Sequence, residues 1–291
     1  QGDKVELKEN SNFIVQLIFD KSGRNDSGIF ISYKNKRIVN LVDIPSPDID
    51  GLEDIDLAFL PFANGASGYP ICWPEKINKQ EFINYKKISN LNAIKLFTQR
   101  VKKMKANYSV PFAGFFTSPL SEDKFIQKNN IINTPEDVVN FVNNSMKINI
   151  INPLYGLKYN HSQESFSSSF DKKIECASYD DLNIRLRNIL LKRYQNFRKE
   201  ELVRFLKTQD FVDNLHLCIF ATDQEYEKIY FNLCWDFNSN SEISEKKFSD
   251  LYDSPDIRSL KIYIRNYSLG YTIRNSLPWE EFSIGFQARF I

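Results

Sequence analysis

Short runs of β-branched, aromatic and aliphatic residues crowd positions 13–60, and they constrain this chain more than any other feature. Phe13-Ile-Val-Gln-Leu-Ile-Phe19 and Gly28-Ile-Phe-Ile-Ser-Tyr33 flank the turn-rich stretch Asp20–Ser27, a pattern that predicts two paired strands. Ile38–Val42 and, after a Pro- and Asp-rich loop, Ile55–Leu60 extend the ladder. From Lys79 to Lys105 the apolar spacing changes to a helical one, with Phe82, Ile94, Phe97, Val101 and Met104 among its marks. Asn107–Phe112 reads as a further strand. Thr134-Pro-Glu-Asp137 opens another helix, with a hydroxyl cap, proline in the first turn and acids behind it. The chain is therefore expected to be α/β (α+β), with a strand ladder followed by helices.

The Ser-rich, apolar-poor stretch Asn160–Ser169 interrupts this pattern and predicts a linker or long loop, dividing the chain into residues 1–155 and 156–291. Beyond it, Asp181–Lys207 carries a strong helical stripe, broken near Arg198, and strands are expected at Leu215–Phe220, Lys228–Trp235 and Ser259–Ile264. Asn266–Trp279 has a helical pattern.

Charge excludes several function classes. With Lys+Arg 38 against Asp+Glu 37, the formal charge of +1 supplies no field for nucleic acid or an anionic membrane. The basic run Arg100–Lys105 ends a helical pattern, where cations suit the carbonyl end of the helix dipole, and reads as a solvated helix end. No apolar run reaches the length of a membrane span and no signal peptide is evident, so a cytoplasmic protein is expected. Gln1-Gly2 reads as a scar of a cleaved tag, which would put the start of natural sequence near Asp3. Cys72, Cys176, Cys218 and Cys234 have no zinc or cluster spacing and read as buried free thiols. His161, in a polar loop, reads as a surface residue, and His216, on an apolar strand, as a packing residue.

The sharpest local signal is Leu60-Pro-Phe-Ala-Asn-Gly-Ala-Ser-Gly-Tyr-Pro70, a loop of small residues directly after an expected strand. It matches neither a Walker A loop nor a dinucleotide fingerprint. On composition alone it is either a ligand-approach loop or a tight structural turn.

The segment also resembles the Phe-Ala-Gly-Gly-Ala-Ser-Gly-Phe-Pro stretch of the CMP-N-acetylneuraminate hydroxylases. Val110-Pro-Phe-Ala-Gly-Phe115, with Ser121-Glu-Asp-Lys124 behind it, resembles a second segment of that family, and Trp279-Glu-Glu-Phe-Ser-Ile-Gly-Phe-Gln-Ala-Arg289 a third, in the same order. Thr134–Asp137 and Ala221-Thr-Asp223 fall where similar residues are expected. The resemblance implies the second half of a metallo-β-lactamase-like αββα sandwich, followed by a helical and α+β region faintly similar to sterol-carrier-like modules. It also implies that Asp43, at the end of Ile38–Asp43, is a metal ligand; without it, such an acid reads as a solvated turn residue. Asn64, Gly65, Ala66, Ser67, Gly68, Phe112 and Gly114 would line a substrate cleft.

The departures are equally specific. The family's iron–sulfur Rieske domain and its His-x-His-x-Asp-His motif are absent from these residues. One carboxylate cannot hold a catalytic ion, so iron, zinc or manganese would need ligands from another segment or chain. Two expectations follow. The chain is part of a metal-dependent hydrolase or monooxygenase-like protein acting on a nucleotide-sugar or other polar small molecule, or it is an inactive binding or assembly protein on the same scaffold. Either would need a protein partner or a homo-oligomer, because half a sandwich leaves an apolar face and strand edges uncovered.

Overall fold

The computed structural model describes residues 4–6, 12–23, 26–63, 71–73, 78–114, 120–143, 148–152, 157–160, 163, 165–168, 179–209, 214–279, 282 and 285–291. The fold is mixed α/β, in two compact units. One comprises residues 1–65, 83–116 and 131–174, and the other residues 66–82, 117–130 and 175–291. No helix among the described residues is long and apolar enough to cross a membrane.

The first unit is built on a seven-stranded sheet in sequence order: β1 (Lys4–Glu6), β2 (Phe13–Phe19), β3 (Ser27–Tyr33), β4 (Lys36–Asn40), β5 (Leu57–Leu60), β6 (Tyr108–Pro111) and β7 (Asn149–Ile150). Strands β1 to β4 pair antiparallel, with the two-residue turn Lys34-Asn35, both at positive φ, between β3 and β4. From β4 to β7 the pairing is parallel. Parallel neighbours need a crossover connection, and α1 (Lys79–Lys103) supplies it between β5 and β6. A further helix, α3 (Pro135–Asn143), follows the short α2 (Lys124–Asn129) and precedes β7. Thr134 caps α3 reciprocally with Asp137: its hydroxyl accepts from the Asp137 N–H at 3.2 Å, and the Asp137 carboxylate accepts from the Thr134 N–H at 2.7 Å.

Register fixes what each sheet face presents. Ile18, Phe30, Val39, Ala58 and Leu60 point to one face and form a core with Ile94, Phe97 and Val101 of α1 and Val138 and Val142 of α3. Val15, Leu17, Phe19, Ile29, Ile31, Ile38 and Phe59 point to the other. That second face is just as apolar, yet Leu17 is 44% and Phe19 49% exposed. A half-solvated sheet normally alternates apolar with polar residues, and this one does not.

The basic run closing α1 departs from the sequence expectation at one position. Arg100 is buried, donates to the Pro45 carbonyl at 2.6 Å, and is held below its ordinary pKa by that burial. Lys103 and Lys105 pair at the surface with Asp50 and Glu53.

The hairpin β8–β9 (Leu157–Asn160, Ser165–Ser168) places its second strand inside the Asn160–Ser169 stretch expected as linker. In the second unit, α4 (Tyr179–Tyr194) and α5 (Lys199–Leu206) divide the expected long helix near Arg198. The sheet runs β12 (Ser241–Ile243), β11 (Ile229–Asp236), β10 (His216–Thr222), β13 (Ser259–Arg265), β14 (Ala288–Phe290), with only β10 and β13 parallel. Helices α6 (Glu245–Tyr252) and α7 (Asn266–Arg274) complete it. Strand β10 is buried throughout: Leu217, Ile219 and Ala221 pack toward Leu202, Leu269 and Ile273, while Cys218 and Phe220 pack toward Phe248 of α6. The sheet therefore lies between two helical layers.

The cysteines correct the sequence reading in part. Cys218 and Cys234 face each other in the β10–β11 register and are joined as a disulfide. Cys72 is a buried free thiol, as expected, and Cys176 lies outside the described residues. His216 is buried on β10, opposite Asp236.

Replacing Phe97 by Ala removes the largest α1 side chain in the first core. We expect a loss of about 3–5 kcal/mol in unfolding free energy, read by urea denaturation.

Candidate active-site edge and a buried charge network

In a sheet of parallel strands, chain segments leaving the carboxyl ends emerge on one edge, and that is where ligands usually bind. Strands β4, β5 and β6 obey this geometry. Their ends deliver residues 41–44, 61–63 and 112–114 to the same edge, with β4 and β6 about 10 Å apart. Asp43 and the Phe112–Gly114 segment, distant in sequence, are thereby gathered on one rim.

Local chemistry shapes each piece. After β4, the Asn40 side-chain oxygen accepts from the Val42 N–H at 3.0 Å, and the next residue, Asp43, takes a left-handed conformation at φ 65°. Asp43 is exposed, while Leu41 and Ile44 on either side are buried. After β6, Ala113 also has a positive φ, 53°, and Gly114 lies against Phe62. A Cβ on Gly114 would come within 2.4 Å of the Phe62 ring, so only glycine fits. Phe62 is held at the root of the glycine-bearing loop by Asn133, whose amide donates to its carbonyl at 2.8 Å and to that of Asn90 at 2.8 Å. Phe112 is 44% exposed and makes an edge-on contact with Phe59 at 5.9 Å between ring centres. Asn64, Gly65, Ala66, Ser67 and Gly68 lie outside the described residues.

Among the described residues no group of three or more His, Cys, Asp or Glu side chains is placed to hold an ion. Asp43 stands there as an exposed carboxylate, His216 lies on β10 of the other unit, and His161 is outside the described residues. An ion bound here would need further ligands fixed in the same sphere.

The second unit contains a feature that the sequence reading missed. Asp123, with a fully buried side chain, receives a two-pronged contact from Arg265 (Nη1 to Oδ2 2.9 Å, Nη2 to Oδ1 2.6 Å) and a third bond from Nη2 of Arg289 at 2.8 Å. Arg265 also donates through Nε to the Gln224 carbonyl, and Arg289 through Nη1 to the Phe286 and Ala288 carbonyls. The Tyr226 ring lies 4.7 Å from one guanidinium and 4.4 Å from the other, on a residue with φ 65°. Gln287 accepts from the Tyr267 hydroxyl at 3.0 Å. Burial pushes the Tyr267 hydroxyl up to about 12 and the nearby Cys72 thiol up to about 11.

All three nitrogens of Arg265 are engaged within the protein, so the network acts as an anchor rather than an open binding site. It joins the segment containing Asp123 to the ends of β13 and β14. The signal in the sequence is faint: Arg265 and Arg289 each adjoin apolar residues, as Ile-Tyr-Ile-Arg265 and Ala-Arg-Phe290. A charged side chain there needs an acid, and nothing local says which one.

Together the fold and the rim define a mixed α/β protein whose parallel strands deliver residues 41–44, 61–63 and 112–114 to one sheet edge. No family model matches the chain. It is similar, at 22% identity over 284 residues, to the inactive cytidine monophosphate-N-acetylneuraminic acid hydroxylase of Homo sapiens, covering 91% of this chain and 54% of that protein. It is 24% identical over 279 residues to the cytidine monophosphate-N-acetylneuraminic acid hydroxylase of Macaca mulatta, covering 91% and 46%. The corresponding protein of Xenopus laevis is 25% identical over 321 aligned positions, covering 98% and 49%. The chain thus spans about half the length of these relatives. The similarity extends along most of the chain, and the segments Ser121–Lys124, Ala221–Asp223 and Trp279–Arg289 all contribute to or adjoin the Asp123 network.

Two substitutions test these assignments. Asp123→Asn leaves two guanidiniums facing each other without a carboxylate, and we expect it to cost about 3–5 kcal/mol in chemical denaturation. Gly114→Ala should lower stability by about 1–3 kcal/mol, because the added methyl must displace Phe62; a thermal midpoint equal to that of the parent would contradict the close packing.

Proposed function

We propose that this chain forms the substrate-binding half of a metallo-β-lactamase-like αββα protein of monooxygenase or hydrolase type, acting on a nucleotide-sugar or similarly polar small molecule. The observation that carries this reading is the two-sided apolar sheet. Among the described residues, helices α1 and α3 pack on one face, and the other presents Val15, Leu17, Ile29, Ile31, Ile38 and Phe59, as expected of a sheet that packs against a second sheet. In this reading residues 1–155 contribute the half-sandwich, with residues 156–291 as a following region. Asp43, Asn64 to Gly68, Phe112 and Gly114 line the cleft. Iron, zinc or manganese is held mainly by another segment or chain, in a cytoplasmic assembly. The similarity to the hydroxylases supports the substrate class.

A second reading is an inactive binding or assembly protein on the same scaffold. It is favoured by the exposed Asp43, with no ligand group beside it among the described residues, and by the likeness to a relative described as inactive.

Metal analysis of the assembly isolated from its native source separates the two. Stoichiometric iron, zinc or manganese, together with a second polypeptide or segment, is the result expected of the enzyme; an assembly free of metal supports the scaffold. Phe19→Glu should block assembly while leaving the unfolding midpoint of the isolated chain nearly unchanged, since Phe19 is half-exposed there. Normal assembly by that variant would overturn the role of the bare sheet face.

A further inference from the structure

Helix α1 carries seven Lys and Arg side chains against one acid, Glu81, and from Phe82 to Lys103 it contains no carboxylate. Its inner face is fully used: Ile94, Phe97 and Val101 enter the core, and Lys86 and Arg100 are buried. The outer face departs from that of an ordinary surface helix, which is polar throughout. Ile88 is 61% exposed there, and Leu91 and Leu96 are exposed with it. Lys87, Lys95 and Lys102 stand among them, exposed and with no ion-pair partner among the described residues, whereas Lys103 is paired with Asp50. Ile131, whose carbonyl accepts from the Asn90 side chain at 3.1 Å, adds another exposed aliphatic group beside the helix.

Aliphatic groups and free ammoniums are thus interleaved along a convex strip about 22 Å long from Lys87 to Lys102, at 1.5 Å per residue. The occupant must offer anions and an apolar medium together, with no cation for the strip to meet. A nucleic acid supplies phosphates but nothing for the aliphatic side chains to enter, and a protein surface is ordinarily matched by charges of both signs. An anionic lipid surface supplies both needs. Lysine suits it, because the apolar stem lies along the acyl chains while the ammonium reaches the headgroups. The formal charge of +1 gives no long-range field, so the attraction acts at contact, within about 10 Å at ordinary ionic strength.

We propose that the outer face of α1 docks on an anionic lipid surface, with the helix in the plane of the headgroups, Ile88, Leu91 and Leu96 seated among the acyl-chain ends, and Lys87, Lys95 and Lys102 on the headgroup anions. The site does not rest on the function proposed above. Helix α1 packs on the sheet face opposite the bare one, and docking requires neither metal nor assembly partner.

The test is flotation of the whole chain with vesicles of phosphatidylcholine alone and of phosphatidylcholine with about one-third phosphatidylserine. The chain should float with the anionic vesicles only, and less as salt is raised. Lys87→Glu/Lys95→Glu/Lys102→Glu should abolish flotation, and Ile88→Ser/Leu91→Ser should weaken it about 10-fold. All five side chains are exposed, so an unchanged unfolding midpoint certifies that the variants are folded. Phe19→Glu, on the bare sheet face, should float like the parent. The proposal is overturned by the absence of flotation at about 1 mM anionic lipid in low salt, by equal flotation with neutral vesicles, or by parent-like flotation of the triple variant. Loss of flotation in Phe19→Glu would assign lipid binding to the other face and overturn it too, as would self-association through Ile88 in place of flotation.

Discussion

A sheet with apolar residues on both faces is a commitment to a second layer, and the first unit is organised around it. The register alone places Leu17, Ile29 and Phe59 on the face opposite Ile18, Phe30 and Ala58, so no rotation of side chains can hide both sets behind one helical layer. Helices α1 and α3 satisfy one face. The hydrophobic cost of the other falls on whatever meets it, and each large side chain buried there contributes about 1.5–3 kcal/mol to that association. The same sheet changes from antiparallel to parallel pairing at β4. That change is what brings the ends of β4, β5 and β6 to a common rim. Core and rim therefore arise from one topology.

The second unit relies on a different device. Its central strand is buried on both sides by ordinary packing, but the ends of β13 and β14 are held by charge. A single carboxylate cannot neutralise two guanidiniums, so backbone carbonyls of Gln224, Phe286 and Ala288 accept the remaining donors. Buried ion pairs add little net stability compared with apolar packing, yet they tolerate few alternative geometries. Such a network specifies which segment docks where, and Tyr226 is held in a left-handed conformation beside it.

Much of the strand ladder was legible in the sequence because its signals are local. Phe13–Phe19 and Gly28–Tyr33 carry β-branched runs bounded by turn residues, and Thr134-Pro135 announces a helix start. The break near Arg198 was visible from the phase of the apolar stripe. Pairings over long separations were not. Cys218 and Cys234 are sixteen residues apart, a spacing that fits many arrangements until the β10–β11 register is known. The Ser-rich stretch concealed the β8–β9 hairpin, because Ser165-Phe-Ser-Ser168 carries too few apolar residues to mark a strand. For the cleft, the small residues of the 60–70 loop drew attention, and the rim position of Asp43 and Gly114 follows the strand order. The contact of Gly114 with Phe62 depends on tertiary approach that spacing cannot express.

The order in which the chain visits its two units has a practical corollary. Residues 66–82 and 117–130 belong to the second unit, although they are sandwiched in sequence between pieces of the first. Cys72, Trp73 and Asp123 therefore reach their neighbours from far upstream: Trp73 stacks on Phe290 at 4.3 Å, and Phe290 donates its N–H to the Cys72 carbonyl at 2.7 Å. No single cut of the polypeptide separates the two units intact. A carboxy-terminal fragment would retain every strand of its sheet and still be deprived of the acid that its arginines close upon.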